Sequence, residues 1–335
     1  MLLAEPGTEG LACGKAILIG EHAAVAGFPA VALPLRSQTL TVRFGERLAP
    51  EGTAAANAID HWQQVWSLTM ADTLVQLPLE ERLRLTQSLD LGLRLLLNQE
   101  DNEHLLEKYE PQKIEILSQL PLGAGMGGSA ALSAALLRAL ARTLGQARSS
   151  AEISLFANRL DGFFHGRASG LDAATVVADG IIRFVREQGS RSVRNGKGFW
   201  LLLIDTRERT PTRTMVQKVA HLRETQRESV ESTFMLIGEL SERVIASLER
   251  GDLLGLGESL NAAHMALQSL QVSTQKLDAC VAELRKCGAL GAKLTGGGGG
   301  GLALGIFASS PPIPFSTAWK EYPHYLTFVR ADENP

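Results

Sequence analysis

The stretch Leu122-Gly123-Ala124-Gly125-Met126-Gly127-Gly128-Ser129 places four glycines in eight residues, directly before an alanine- and leucine-rich run. A phosphate chain is held by backbone N–H groups, and glycine clears their approach and permits positive φ. A helix opening just after such a loop adds unpaired N–H donors and partial positive charge. The stretch therefore fits a loop that cradles nucleotide phosphates, although no lysine precedes Ser129 as in the Gly-Lys-Ser form. A closely packed strand–helix turn would use the same small residues. Ser129 could cap the helix or ligate Mg²⁺, which takes one or two protein ligands beside phosphates and water.

Three other groupings carry chemistry. In His165-Gly166-Arg167-Ala168-Ser169-Gly170-Leu171-Asp172 an aspartate is followed by small apolar residues, which would fix its carboxylate against a cleft wall. An aspartate after Ser-Gly also commonly caps a helix. Asp161 is a second carboxylate, on a predicted helix, where a solvated charge is the plainer reading. One such group could hold Mg²⁺ while the other takes a proton from an attacking hydroxyl. Lys15 opens the apolar run of GKAILIGEH, and a buried lysine is costly unless paired. Paired with a catalytic carboxylate, it would keep that group ionised; a surface lysine at a strand start fits equally. A lone His22 is more often structural. Finally, Lys293-Leu294-Thr295 leads into six glycines, Gly296 to Gly301, bracketed by ALGAKLT and LALGIF. That bracketing argues for close backbone approach to a ligand or to the first loop, not for a linker.

The elements that must position these groups follow from periodicity. AILIG, FPAVALPL, LTVRF, KIEILS, GIIRFVR and FWLLLIDT read as strands. Between residues 60 and 108, WQQVWSLTM, LEERLRLTQSLDLGLRLLL and EHLLEKY read as amphipathic helices, with Trp62 and Trp66 on one core-facing side. Helices are predicted over 130–143 and 151–164, and three helical patterns between 214 and 286. Residues 187–197, EQGSRSVRNGK, read as a domain junction or hairpin.

With 335 residues the chain can bury a large core and suggests two domains. It is 45 % hydrophobic and 21 % charged, as soluble enzymes are. A net charge of −3 gives no general attraction for nucleic acid or anionic membrane, so phosphate binding must be local. Cys13, Cys280 and Cys287 form no metal-ligand spacing and fit a reducing cytoplasm. The N-terminus lacks a signal-peptide pattern, and no apolar run is long enough to cross a membrane.

In their order and spacing, GKAILIGEH, LPLGAGMGGSAALSAA and KLTGGGGGGLALGI resemble the three motifs of the GHMP small-molecule kinases. Within that family, GEH followed by AVAGFPAVALPL, with HGRASGLDAATVVADG and DTRERTPTRTMV, is most similar to the members that phosphorylate mevalonate. The resemblance implies a two-domain α+β fold: residues 1–195 like ribosomal protein S5 domain 2, and 196–335 a ferredoxin-like α+β domain. It implies ATP and Mg²⁺ as cofactors, mevalonate as substrate and a homodimer as a plausible assembly. Lys15 would match the lysine that pairs with the catalytic aspartate, Asp172. Leu122 to Ser129 would hold the phosphates, and Ser129 and Asp161 would hold the metal. Glu21, His22, Arg183, Thr212 and Gly298 would lie at the substrate. Cys13 stands where the family has proline, Gly128 where it has serine, Ala173 where it has asparagine, and Asp161 where it often has glutamate. Another kinase of the family (for phosphomevalonate, the 3-hydroxyl of mevalonate, or a sugar) and a non-catalytic ligand sensor are the alternatives. Ala23-Ala24-Val25 after Gly-Glu-His counts against a galactokinase, which carries Thr-Asp-Tyr there.

Overall fold

The structure is a computed structural model that describes residues 2–48, 61–99, 105–121, 123–165, 169–313 and 316–333. The side chains of residues 163–165 lie outside the description, as do residues 166–168 of the HGRASG segment. The chain forms two compact units built from interleaved segments. The first comprises Met1–Gly14, Leu35–Pro121 and Gly127–Val177; the second comprises Lys15–Pro34, Leu122–Met126 and Ala178–Pro335.

In the first unit, β3 (Trp66–Met70) and β4 (Thr73–Val75) form a hairpin, and β3 runs parallel to β5 (Gln112–Ser118). The second half of β2 (Ala30–Arg47) lies antiparallel to β5, from Leu40 opposite Ser118 to Arg47 opposite Gln112. Four helices pack together: α1 (Leu79–Leu97), α2 (Gly128–Thr143), α3 (Ser150–His165) and the short α4 (Leu171–Val176). Small residues let α2 sit close to its neighbours: Ala130, Ala131, Ala134, Ala135 and Ala139 are buried with Leu136, Leu137 and Leu140.

The expected helix over WQQVWSLTM is a strand instead from Trp66 onward. Trp62 and Trp66 are core residues all the same, and their indoles donate to the Leu106 carbonyl at 3.2 Å and the Thr86 hydroxyl at 3.0 Å. Two tryptophans four apart therefore satisfied a helical period without a helix. FPAVALPL and LTVRF, read as separate strands, belong to the single 18-residue β2. Pro34 is tolerated in it because it lies between the ladder of Ala30–Ala32 with β6 (Ile182–Val185) and that of Leu40–Arg47 with β5.

In the second unit, β6 and β7 (Gly189–Ser192) form a hairpin, the structure taken by the polar 187–197 stretch. A four-stranded antiparallel sheet runs in the order β11 (His324–Val329), β8 (Phe199–Asp205), β10 (Leu302–Phe307), β9 (Gly291–Thr295). Numbered from β8, this is the order 4-1-3-2 of a ferredoxin-like sheet. β11, only half-buried, is a strand that the sequence reading did not include. Four helices, not three, follow β8: α5 (Thr212–Thr225), α6 (Arg227–Arg250), α7 (Leu253–Ser269) and α8 (Gln275–Lys286). The break the periodicity hid is at Gln226, whose φ of −135° interrupts an otherwise continuous helical pattern. No helix among the described residues is long and apolar enough to cross a membrane.

Candidate active site

β1 (Glu9–Ile19) delivers Lys15 from mid-strand, not from a strand start, because the strand begins six residues earlier. Lys15 is buried; its N–H donates to the Met126 carbonyl at 2.9 Å and its Nζ to the Gly125 carbonyl at 3.0 Å. The first motif is thereby tied to the glycine loop. Within the loop, Gly123 and Gly125 have φ of 65° and 89°, left-handed values that disfavour any side chain. Ala124 and Met126 are buried between them while Gly123 and Gly125 are exposed. The alternation anchors the loop through two side chains and leaves its backbone bare on the other side, which is the form an anion cradle needs. Leu122 lies outside the described residues.

Beyond β1, Gly20 turns the chain at φ 107°, where a Cβ would come 2.5 Å from Ala30. Glu21 and His22 follow, both buried. The Glu21 carboxylate meets the ammonium of Lys293, whose side chain is completely buried in β9. Burial pushes the Lys293 pKa down, and nearby Lys15 adds to that, while Glu21 opposes it. His22 takes φ 63°, a strained value for a non-glycine residue, and its Nε2 lies 2.9 Å from the Gly297 carbonyl. A carbonyl only accepts, so Nε2 carries the proton. Burial lowers the His22 pKa and keeps the ring neutral. A cavity of about 540 Å³ opens beside His22, walled by Val25, Val216, Val219 and Phe234, with Arg223 and Arg227 among its lining residues.

Thr212 opens α5 and packs against Gly297, where an added Cβ would come 3.0 Å from its methyl. Gly298 has φ 78°, and a Cβ there would collide with the Val272 carbonyl at 2.2 Å. Arg183 is committed elsewhere: its guanidinium pairs with Glu242 of α6 at 2.7 Å and reaches Gln188 at 3.3 Å.

The first unit holds the remaining candidates. Gly127, with φ 72°, is the N-cap of α2, and no side chain caps that helix. Gly128 and Ser129 are its first two residues, so Ser129 does not cap it but stands in the first turn. Asp161 is buried on α3. Asp172, half-buried, lies in the first turn of α4, whose N-cap is Gly170; it too is not a cap. A buried carboxylate and a hydroxyl at a helix start are hard oxygen donors of the kind Mg²⁺ takes. Among the described residues no three His, Cys, Asp or Glu side chains gather as a metal site. An ion completed by phosphates and water needs no such cage.

Sequence reasoning missed Lys293 as the partner of Glu21 and saw it only as the start of a glycine run. The sequence offered only a lysine among small and apolar residues, in GAKLT, which hints at a buried and therefore paired charge without naming its partner. It also missed the clamp in which Arg209 holds the buried Asp205 through two bonds of 2.7 Å, with Arg209 packed beside Gly123.

The family model of the GHMP kinase N-terminal domain matches residues 96–180, and that of the GHMP kinase C-terminal domain matches 244–321. The mevalonate kinase of Thermococcus gammatolerans is 30 % identical over 298 residues, covering 86 % of this chain and 85 % of that protein. The mevalonate kinase of Aeropyrum pernix is 31 % identical over 198 residues, which span 59 % of this chain and 61 % of that protein, under two thirds of its length. Among solved structures, L. major mevalonate kinase in complex with R-mevalonate superposes with a TM-score of 0.76 at 22 % identity, covering 99 % of this chain and all of that one. With its three motifs on this two-domain α+β fold, the chain belongs to the GHMP kinases and, within them, to the mevalonate kinase family.

Proposed function

We propose that the chain transfers the γ-phosphoryl group of ATP to the C5 hydroxyl of (R)-mevalonate, the step that commits mevalonate to isoprenoid biosynthesis. The observation that carries this reading is the likeness to a mevalonate kinase across most of both chains. In this reading, residues 122–129 hold the phosphates. Lys15 polarises the hydroxyl, and Asp172 accepts the proton as the new O–P bond forms and ADP departs. Ser129 and Asp161 hold Mg²⁺, which when bound neutralises charge on the β- and γ-phosphates. Glu21, His22, Thr212 and Gly298 belong to the substrate end; Arg183 is its weakest member, because binding a carboxylate would require exchange of its pair with Glu242. The limit between N- and C-terminal domains falls after residue 195. A cytoplasmic, homodimeric enzyme belongs to the same reading, and light scattering on the purified chain tests the dimer.

ADP release measured against mevalonate, phosphomevalonate, galactose and homoserine tests the substrate. Mevalonate should be preferred; ATP binding without turnover on any of them would support a ligand sensor instead. Asp172→Asn should lower kcat by about a thousandfold or more while leaving ATP affinity intact. A near-normal rate would remove Asp172 from catalysis.

A further inference from the structure

Lys293 and Thr295 lie two apart on one side of β9, and Gly297 follows just beyond the end of the strand. Each grips the first motif. Lys293 Nζ holds Glu21 Oε1, and the Thr295 hydroxyl accepts from Ile17 N–H at 3.1 Å and donates to the Ile17 carbonyl at 2.9 Å. The Gly297 carbonyl takes the His22 Nε2–H at 2.9 Å. The clasp leaves one group unsatisfied: Glu21 Oε2 is buried without a hydrogen-bond partner.

A buried carboxylate oxygen with no donor is costly. Stability does not explain why it is kept, since a buried ion pair is often no better than apolar residues of the same volume. We infer that Lys293 is a positioning residue for the substrate, fixing Glu21 so that its Oε2 accepts a hydrogen from a substrate hydroxyl. This rests on the mevalonate reading above only for the identity of that hydroxyl compound. In this role Lys293 acts through Glu21, its ammonium donating to Glu21 Oε1 and to the Leu294 carbonyl.

The test uses Lys293→Met, Glu21→Gln and the double variant, measuring KM and kcat for mevalonate, the Kd of ATP, and the melting temperature. Wild type is assayed first. If it turns over phosphomevalonate in place of mevalonate, the substrate reading fails and the same comparison is run on phosphomevalonate. Lys293→Met should raise KM for the hydroxyl substrate by about tenfold or more and leave the Kd of ATP within about twofold. It should also lower the melting temperature, because Glu21 is left buried and unpaired. Glu21→Gln in that background should restore the melting temperature without restoring KM, and the two KM effects should not add. A double variant with wild-type KM, or additive effects, would overturn the inference by leaving the pair a purely structural role. Should Lys293→Met fail to fold, the double variant, which buries no charge at this pair, still decides the matter.

Discussion

Two glycine runs lie in one unit, and they are glycine for different reasons. In the loop at 123–126 an added Cβ would meet nothing within 4 Å at Gly125, and only Arg209, at 3.7 Å, at Gly123. Space there is open; glycine serves the left-handed backbone and keeps it bare. In the second run the space at Gly297 to Gly300 is already filled. A Cβ would come 2.2 Å from the Val272 carbonyl at Gly298, 2.7 Å from Thr210 at Gly299, and 2.5 Å from Glu208 at Gly300. The segment 206–210 straps it down: Thr206 and Thr210 donate to the carbonyls of Gly301 and Gly299, and Gly301 N–H donates to Glu208. The second run also approaches the first, with Gly301 placing a Cβ 3.3 Å from the Ala124 carbonyl. A glycine-rich stretch is thus evidence of a ligand only where its missing side chains leave empty space.

Substitution can break this contrast. Gly298→Ala should cost about 3 kcal/mol or more, from the collision and the positive φ together, read as a lowered melting temperature. A shift of a degree or two would show that the second run is not packing-limited. Acid should act on the second run as well. It continues from β9, where Leu294 N–H donates to His264 Nδ1 at 3.4 Å. Burial lowers the His264 pKa from 6.5 to about 4, against the pull of Asp278. The fold therefore resists protonation there, so stability present above about pH 6.5 is lost as pH falls towards 4. The loss attributable to His264 should approach about 3 kcal/mol. Melting curves between pH 7 and 4 should show His264→Gln flattening that slope; an unchanged slope would place the acid sensitivity elsewhere. Gly125→Ala should cost only about 1 kcal/mol of stability but weaken ATP binding, the reverse of Gly298→Ala. Gly128→Ser should be the mildest. Gly128 has an ordinary φ and open space, so a helix-compatible side chain should gain up to about 0.5 kcal/mol without loss of nucleotide affinity.

What the sequence made legible follows the same division. Local patterns were readable: the loop before α2, the apolar run of β1 around Lys15, the long amphipathic α1. Contacts across long separations were not. Lys293 and Glu21 are 272 residues apart, and neither residue's neighbours announce the other. Thr212 was reached through resemblance, yet the reason for its place, packing against Gly297, is a tertiary fact. Ser129 and Asp172 each suggested a cap. In both cases a glycine at positive φ (Gly127, Gly170) took the cap and left the candidate side chain in the first turn. Side-chain preferences at helix starts describe averages, and a glycine able to adopt the left-handed region can displace them.

The most direct test of the account is the position of the transferred phosphate. The purified chain, ATP, Mg²⁺ and (R)-mevalonate should yield a phosphomonoester on C5, identified by carbon and phosphorus NMR, with one ADP released per product. Phosphate on the C3 hydroxyl, or ATP bound with no phosphorylated product, would contradict it.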